Sequence, residues 1–166
     1  MAKLAASAWT VLPGSKKDIE RLRADCRRLV RRRAAIAAGL GAVPIPGVDV
    51  LSDVSLFALM VEDINQAFGL TPGQIDRLHP RYRTLAYEAA AGIGGMMVGK
   101  LVTREMVLAL LRRTGMAGLG RYAGKFVPLA GQVAAAAIGF AVFRKMGYQH
   151  VDACAAVAQD VLDKTT

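Results

Sequence analysis

Two segments of this chain read almost alike: Val43-Pro44-Ile45-Pro46-Gly47 and Val127-Pro128-Leu129-Ala130-Gly131. Each joins apolar stretches rich in alanine and glycine. Proline lacks a backbone donor and restricts the residue before it, so it ends a helix, and glycine permits a tight reversal. Pro44, Pro46, Gly47, Pro128 and Gly131 are therefore expected to form the corners of two helical hairpins. The runs they join offer few polar groups to water. That composition makes sense if small residues let helices pack backbone to backbone, or if the segments meet a bilayer.

Periodicity elsewhere is helical. Ser15-Lys16-Lys17-Asp18 has the form of a capping box and starts a first helix. Ile19, Leu22, Cys26, Leu29 and Val30 follow at helical spacing, and the other faces are arginine. This basic amphipathic helix, roughly 16–33, runs without a break signal into the uncharged Ala34–Val43. Asp49 or Ser52 can cap a second helix over about 49–68, which Gly69 closes. Thr71-Pro72-Gly73-Gln74 is a second capping-box form, with proline at the first helical position. A short helix to about Leu78 is expected there, interrupted by His79-Pro80.

The stretch from Pro80 to about Gly99 begins polar and becomes glycine-rich. Glycine costs about 1 kcal/mol relative to alanine inside a helix. Close helix packing through Gly95-x-x-x-Gly99 or a glycine-lined loop would account for it. No P-loop is formed where Lys100 follows Gly99. Thr103–Arg113 reads as a short helix, and Gly115 to Gly124 as a loose linker. Phe126–Phe143 is the longest uncharged run, eighteen residues. It is long enough to approach the hydrocarbon thickness of a bilayer, yet alanine-rich enough to be a buried central helix. Gly147 is expected to break the chain, with a final helix from His150 to about Leu162. No alternating segment appears. The expected fold is all-α, a compact bundle of six to eight helices built around the two Pro-Gly hairpins, with residues 1–15 as an arm and 16–166 as a single domain. Leu4–Leu12 lacks the longer apolar run and cleavage site of a signal peptide, so Trp9 is expected to pack on the domain or at an interface.

The net charge of +9 favours anionic partners. Two thirds of it lies in one window, where Lys16, Lys17, Arg21, Arg23, Arg27, Arg28, Arg31, Arg32 and Arg33 face only Asp18, Glu20 and Asp25. Either these cations form a solvated face, or they meet anionic lipid or an acidic protein. Nucleic acid is disfavoured, because the window holds no aromatic residue for stacking and no recognised motif.

Catalytic signatures are lacking. Cys26 and Cys154 form no metal-ligand spacing and read as reduced, half-buried thiols. His79 and His150 read as structural or capping residues. Asp49 and Asp53 share a helix face, where compensation of the helix dipole is the simpler account; Glu62 and Asp63 lie further along. Ser52, Ser55 and Thr103 lack a partner in any triad order. The reading is a non-enzymatic chain without metal or cofactor.

Val43-Pro44-Ile45-Pro46-Gly47-Val48-Asp49, Phe68-Gly69-Leu70, Val127-Pro128-Leu129-Ala130-Gly131 and Met146-Gly147-Tyr148 carry a resemblance. Over about 120 residues the chain resembles a helical domain of unknown function (family 697) that accompanies bacterial YcjF-type and Era-like GTPases. It is similar as well to the helical part of immunity-related GTPases. The resemblance implies membrane association, often at the cytoplasmic face of a bacterial inner membrane, beside a GTPase module. The chain itself has no P-loop and no N-K-x-D, so a GTPase partner is expected to be a separate chain. The expected function is that of a membrane-associated helical protein acting through a partner. The alternatives are a membrane-perturbing effector toxin or its immunity or chaperone partner, and a soluble basic interaction module.

Overall fold

Ser15 starts the first helix as its sequence requires. Its hydroxyl donates to the Asp18 carboxylate at 2.6 Å and accepts the Asp18 amide at 3.2 Å. In the computed structural model the described residues are 12–41, 50–92, 97–100, 103, 105–107, 109 and 128–165. The corner at Pro44, Pro46 and Gly47, the arm with Trp9, and the glycine linker lie outside them. Five helices can be bounded: α1 (Lys16–Gly41), α2 (Val50–Ala67), α3 (Pro72–Ile75), α4 (Pro80–Gly92) and α5 (Pro128–Thr165). Residues 105–107 and 109 are helical too, and no strand occurs among the described residues. The fold class is all-α.

The sequence punctuation between α2 and α4 works as written. Gly69 takes a φ of 72°, the Leu70 amide donates to the Asn65 carbonyl at 2.8 Å, and the Gly69 amide donates to that of Gln66. That is a Schellman ending, and Leu70 is fully buried beneath it. Thr71 then caps α3 through a full capping box with Gln74, with Pro72 opening the helix.

One alternative left open by the sequence is decided, and one boundary differs from expectation. The helix starting at Pro80 ends at Gly92, and Met97–Gly99 form a turn in which Gly99 has a φ of 68°. A helix cannot continue through that conformation, so Gly99 serves a turn rather than a helix seam. Conversely, Gly147 does not break the chain, since α5 runs through it for 38 residues. A Cβ at position 147 would lie 2.6 Å from Val30 Cγ1 and 2.9 Å from Met60 Cε. The glycine lets three helices approach one another, and that packing outweighs its weak helix propensity. Pro128 and Gly131, expected at a turn, lie in the first turn of α5. Proline is tolerated there because its missing donor would have no intrahelical partner.

α5 is the hub. It packs most extensively against α1, then against α4 and α2, while α1 also packs on α2. α1 and α5 are antiparallel: Lys16 meets Asp163, Arg27 meets Asp152, and Val30 meets Gly147. α2 runs parallel to α5, with Phe57 edge-on to Phe143 at 5.1 Å and Asn65 bonded to His150. Val30 and Ala34 of α1, Met60 and Ile64 of α2, and Val151, Val157 and Val161 of α5 fill the seam. The described part of the uncharged Phe126–Phe143 run is not a buried centre. Val133 and Ile138 are 70% and 45% exposed, and Phe143 is the first buried residue among the described side chains of α5. Among the described residues no helix is long and apolar enough to cross a membrane.

Candidate functional site

All nine cations of the basic window sit on α1, but helix geometry sorts them into two groups. Successive residues turn by about 100°, so Ile19, Cys26, Val30, Ala34 and Ala37 share the buried face. Arg23, Arg27 and Arg33 flank that face and are only partly exposed. Each meets a carboxylate from another helix. Arg23 Nε donates to Asp152 Oδ1 at 2.8 Å, and Arg27 Nη2 donates to both Asp152 oxygens at 2.8 and 3.0 Å. Arg33 Nη2 donates to Asp63 Oδ2 of α2 at 2.6 Å. The Arg27 guanidinium also lies 5.2 Å from the ring centre of Tyr148, while its Nε is buried without an acceptor. Lys16 reaches Asp163 at 3.5 Å near the open end of the α1–α5 pair.

Lys17, Arg21, Arg28, Arg31 and Arg32 occupy the opposite side. They fall within an arc of about 100° and a length of about 22 Å, a stripe along one helix face. All five are exposed. Arg28 pairs with its own neighbour Asp25; among the described residues Lys17, Arg21, Arg31 and Arg32 make no ion pair. Ile36, at the edge of the stripe one turn beyond Arg32, is 53% exposed.

A second cluster lies inside. The Asn65 amide nitrogen donates to the Met97 carbonyl at 3.0 Å, which turns its oxygen toward His150 Nε2 at 2.9 Å and the Cys154 thiol at 3.4 Å. His150 is buried, 5% exposed. Burial lowers its pKa to about 4, against a hydrogen bond to the Val61 backbone that works the other way. The cysteines are fully buried rather than half-buried. Burial pushes the Cys26 thiol up to about 12, with Asp25 and Asp63 adding to it. Burial also raises the Cys154 thiol, with Cys26 adding to it. An activated thiol–imidazole pair needs the opposite shifts. The cluster ties α2, α5 and the 97–99 turn together.

The remaining polar candidates separate. Asp63 is held by Arg33, and His79 is exposed and edge-on to Tyr82. Asp49 lies outside the described residues. No three His, Cys, Asp or Glu side chains gather as a metal site among those described. Asp152 and Asn65 are the residues that sequence reading missed. Each sits at ordinary helical spacing, and no local signal says which distant arginine or histidine it will face. No protein-family model, curated protein or solved structure matches this chain.

Proposed function

We propose that this is a helical protein that docks on anionic membrane surfaces through the outward face of α1 and acts there through a protein partner rather than by catalysis. One observation carries the reading: Asp152 and Asp63 take up the arginines on the inner flank of α1, while Lys17, Arg21, Arg31 and Arg32 lie along one solvent-facing stripe without an ion pair among the described residues. Near an anionic leaflet each basic residue contributes about 1 kcal/mol, so the four without an ion pair contribute about 4 kcal/mol, or about millimolar affinity. Exposed Ile36 adds an apolar contact at one end of the stripe.

The same proposal includes the finer architecture, with Pro44, Pro46 and Gly47 forming the corner between α1 and α2. The resemblance of this corner to helical domains that accompany GTPases supports a cytoplasmic-face location and a separate GTPase as the partner class.

Co-sedimentation with phosphatidylcholine vesicles, with and without phosphatidylglycerol, tests the reading. Binding should require the anionic lipid and be lost in high salt, as expected for exposed charges. Equal binding to neutral vesicles, or none to anionic ones at low salt, would refute it.

A further inference from the structure

The outward face of α1 does not end at its last arginine. Successive residues turn by about 100°, which sets Ala35 and Gly39 within the arc of Lys17, Arg21, Arg28, Arg31 and Arg32, with Ile36 at its edge. Ala35, Ile36 and Gly39 are exposed, and a Cβ at Gly39 would meet nothing within 4 Å. One solvent-facing face therefore changes character along its length. It is cationic from Lys17 to Arg32 and uncharged from Ala35 to Gly39.

The neighbouring helix changes character at the same level. Lys16 lies beside Asp163, Arg27 beside Asp152 and Val30 beside Gly147, so the antiparallel register sets Arg33 level with Arg144 and Lys145. These two are the first charged residues of α5: Pro128–Phe143 holds none, and neither does Ala34–Gly41 of α1. The two charge boundaries are far apart in sequence and coincide only in the fold. On α2 the stretch alongside, Val50–Leu56, holds Asp53 as its one charge. The end of the α1–α5 pair can thus enter a low-dielectric layer without carrying a charge of either helix with it. Cations just behind an uncharged end also match the order of an anionic leaflet, with phosphate outside and hydrocarbon beneath. Arginine suits that boundary, because its long side chain can reach back to the phosphates.

We infer that α1 docks tilted, with Arg31 and Arg32 among the headgroups and Ala35, Ile36 and Gly39 below them in an anionic bilayer. This rests on the reading of α1 as the docking helix and gives that docking a direction. A tilt of about 20° raises Lys17 about 8 Å above Arg32, still within a Debye length of the phosphates at physiological salt. The apolar side of an interfacial helix reaches roughly 5–10 Å into the boundary of headgroups and acyl chains. The inserted end is short and rich in alanine, so its burial adds to the charge contact and does not replace it.

Vesicles of phosphatidylglycerol and acyl-chain-brominated phosphatidylcholine provide the test, with binding read by co-sedimentation and depth by quenching of a single tryptophan. Two chains carry the probe on the same face of α1: W9F/I36W at the uncharged end, and W9F/A24W at exposed Ala24 among the cations. The I36W probe should be quenched about two-fold or more strongly than the A24W probe. The I36S variant, its fold checked by thermal melting, should bind about ten-fold more weakly than wild type. Sedimentation with equal quenching at the two positions, or stronger quenching at A24W, overturns the tilt and leaves the α1 reading standing. Undiminished binding by I36S does the same. Failure of the wild type to sediment overturns the α1 reading itself.

Discussion

Along α1, arginines on the inner flank meet carboxylates from other helices, and arginines on the outer flank meet solvent. Arg23 and Arg27 converge on Asp152 of α5, and Arg33 on Asp63 of α2, across 125 and 30 residues of sequence for Arg27 and Arg33. Four residues away from such a pair, Arg31 has none. The same residue type thus serves two ends, fixing the α1–α2–α5 seam on one side and leaving charge available on the other. Burial in the seam disfavours charge, lowering the pKa of His150 and raising those of both thiols.

His150 gives the largest expected contrast. Its pKa is about 4 in the fold against 6.5 when unperturbed. Above 6.5 the ring is neutral in both folded and unfolded chains, and it contributes no pH dependence. Between 6.5 and 4 the unfolded chain takes up the proton and the folded chain does not, so stability falls as pH falls. The loss is on the order of 3 kcal/mol by pH 4, read from urea denaturation along a pH series. The His150→Gln variant should be less stable at neutral pH and show a shallower fall over that window. An unchanged slope would mean that the acid sensitivity belongs to other groups.

Two glycines of α5 separate seam from surface next. Gly147→Ala puts a methyl 2.6 Å from a Val30 branch that cannot swing aside, although Met60 Cε can move. Overpacking costs about 1–3 kcal/mol, against a helix-propensity gain of about 1 kcal/mol, so a net loss is expected. Val30→Ala in the same chain should recover part of it, which a double-mutant cycle measures. Gly139 is exposed, and a Cβ at that position would meet nothing within 4 Å. Gly139→Ala should stabilise by up to about 1 kcal/mol. If both substitutions had the same sign, the close approach at Gly147 would not be what keeps glycine there.

Local signals in the sequence were reliable wherever the physics is local. The Ser15 cap, the Thr71 capping box, the end of α2 at Gly69, the start of α4 at Pro80 and the apolar face of α1 follow from neighbours within a few residues. Gly147 misled because a glycine reads the same whether it breaks a helix or lets another helix approach, and Val30, more than a hundred residues away, decides which. Gly99 left two alternatives open, a helix seam or a glycine-lined loop, since a small-residue pattern cannot distinguish a seam from a left-handed turn. The charged window was legible as a helix face. Its division into partnered and free arginines was not, because that depends on where Asp63 and Asp152 arrive in space.

The smallest effects on stability test that division most directly. Asp152→Asn removes the carboxylate shared by Arg23 and Arg27. The three side chains are about a third to two fifths exposed, so solvent screening holds the cost to about 1 kcal/mol. The same substitution releases two guanidinium groups at the edge of the α1 face, and binding to anionic vesicles should rise by a few-fold. R21S/R31S/R32S should do the reverse. Each substitution lies on an exposed face without an ion pair, so unfolding should shift by no more than about 0.5 kcal/mol per site. Vesicle binding should meanwhile fall by about 100-fold, the loss of three contacts of about 1 kcal/mol each. The crossed pattern is the diagnostic: a seam substitution that costs stability and strengthens docking, beside a surface substitution that spares stability and weakens docking. If the outer triple variant instead unfolded as readily as Asp152→Asn, the outward arginines would be structural, and the two sides of α1 would not differ in kind.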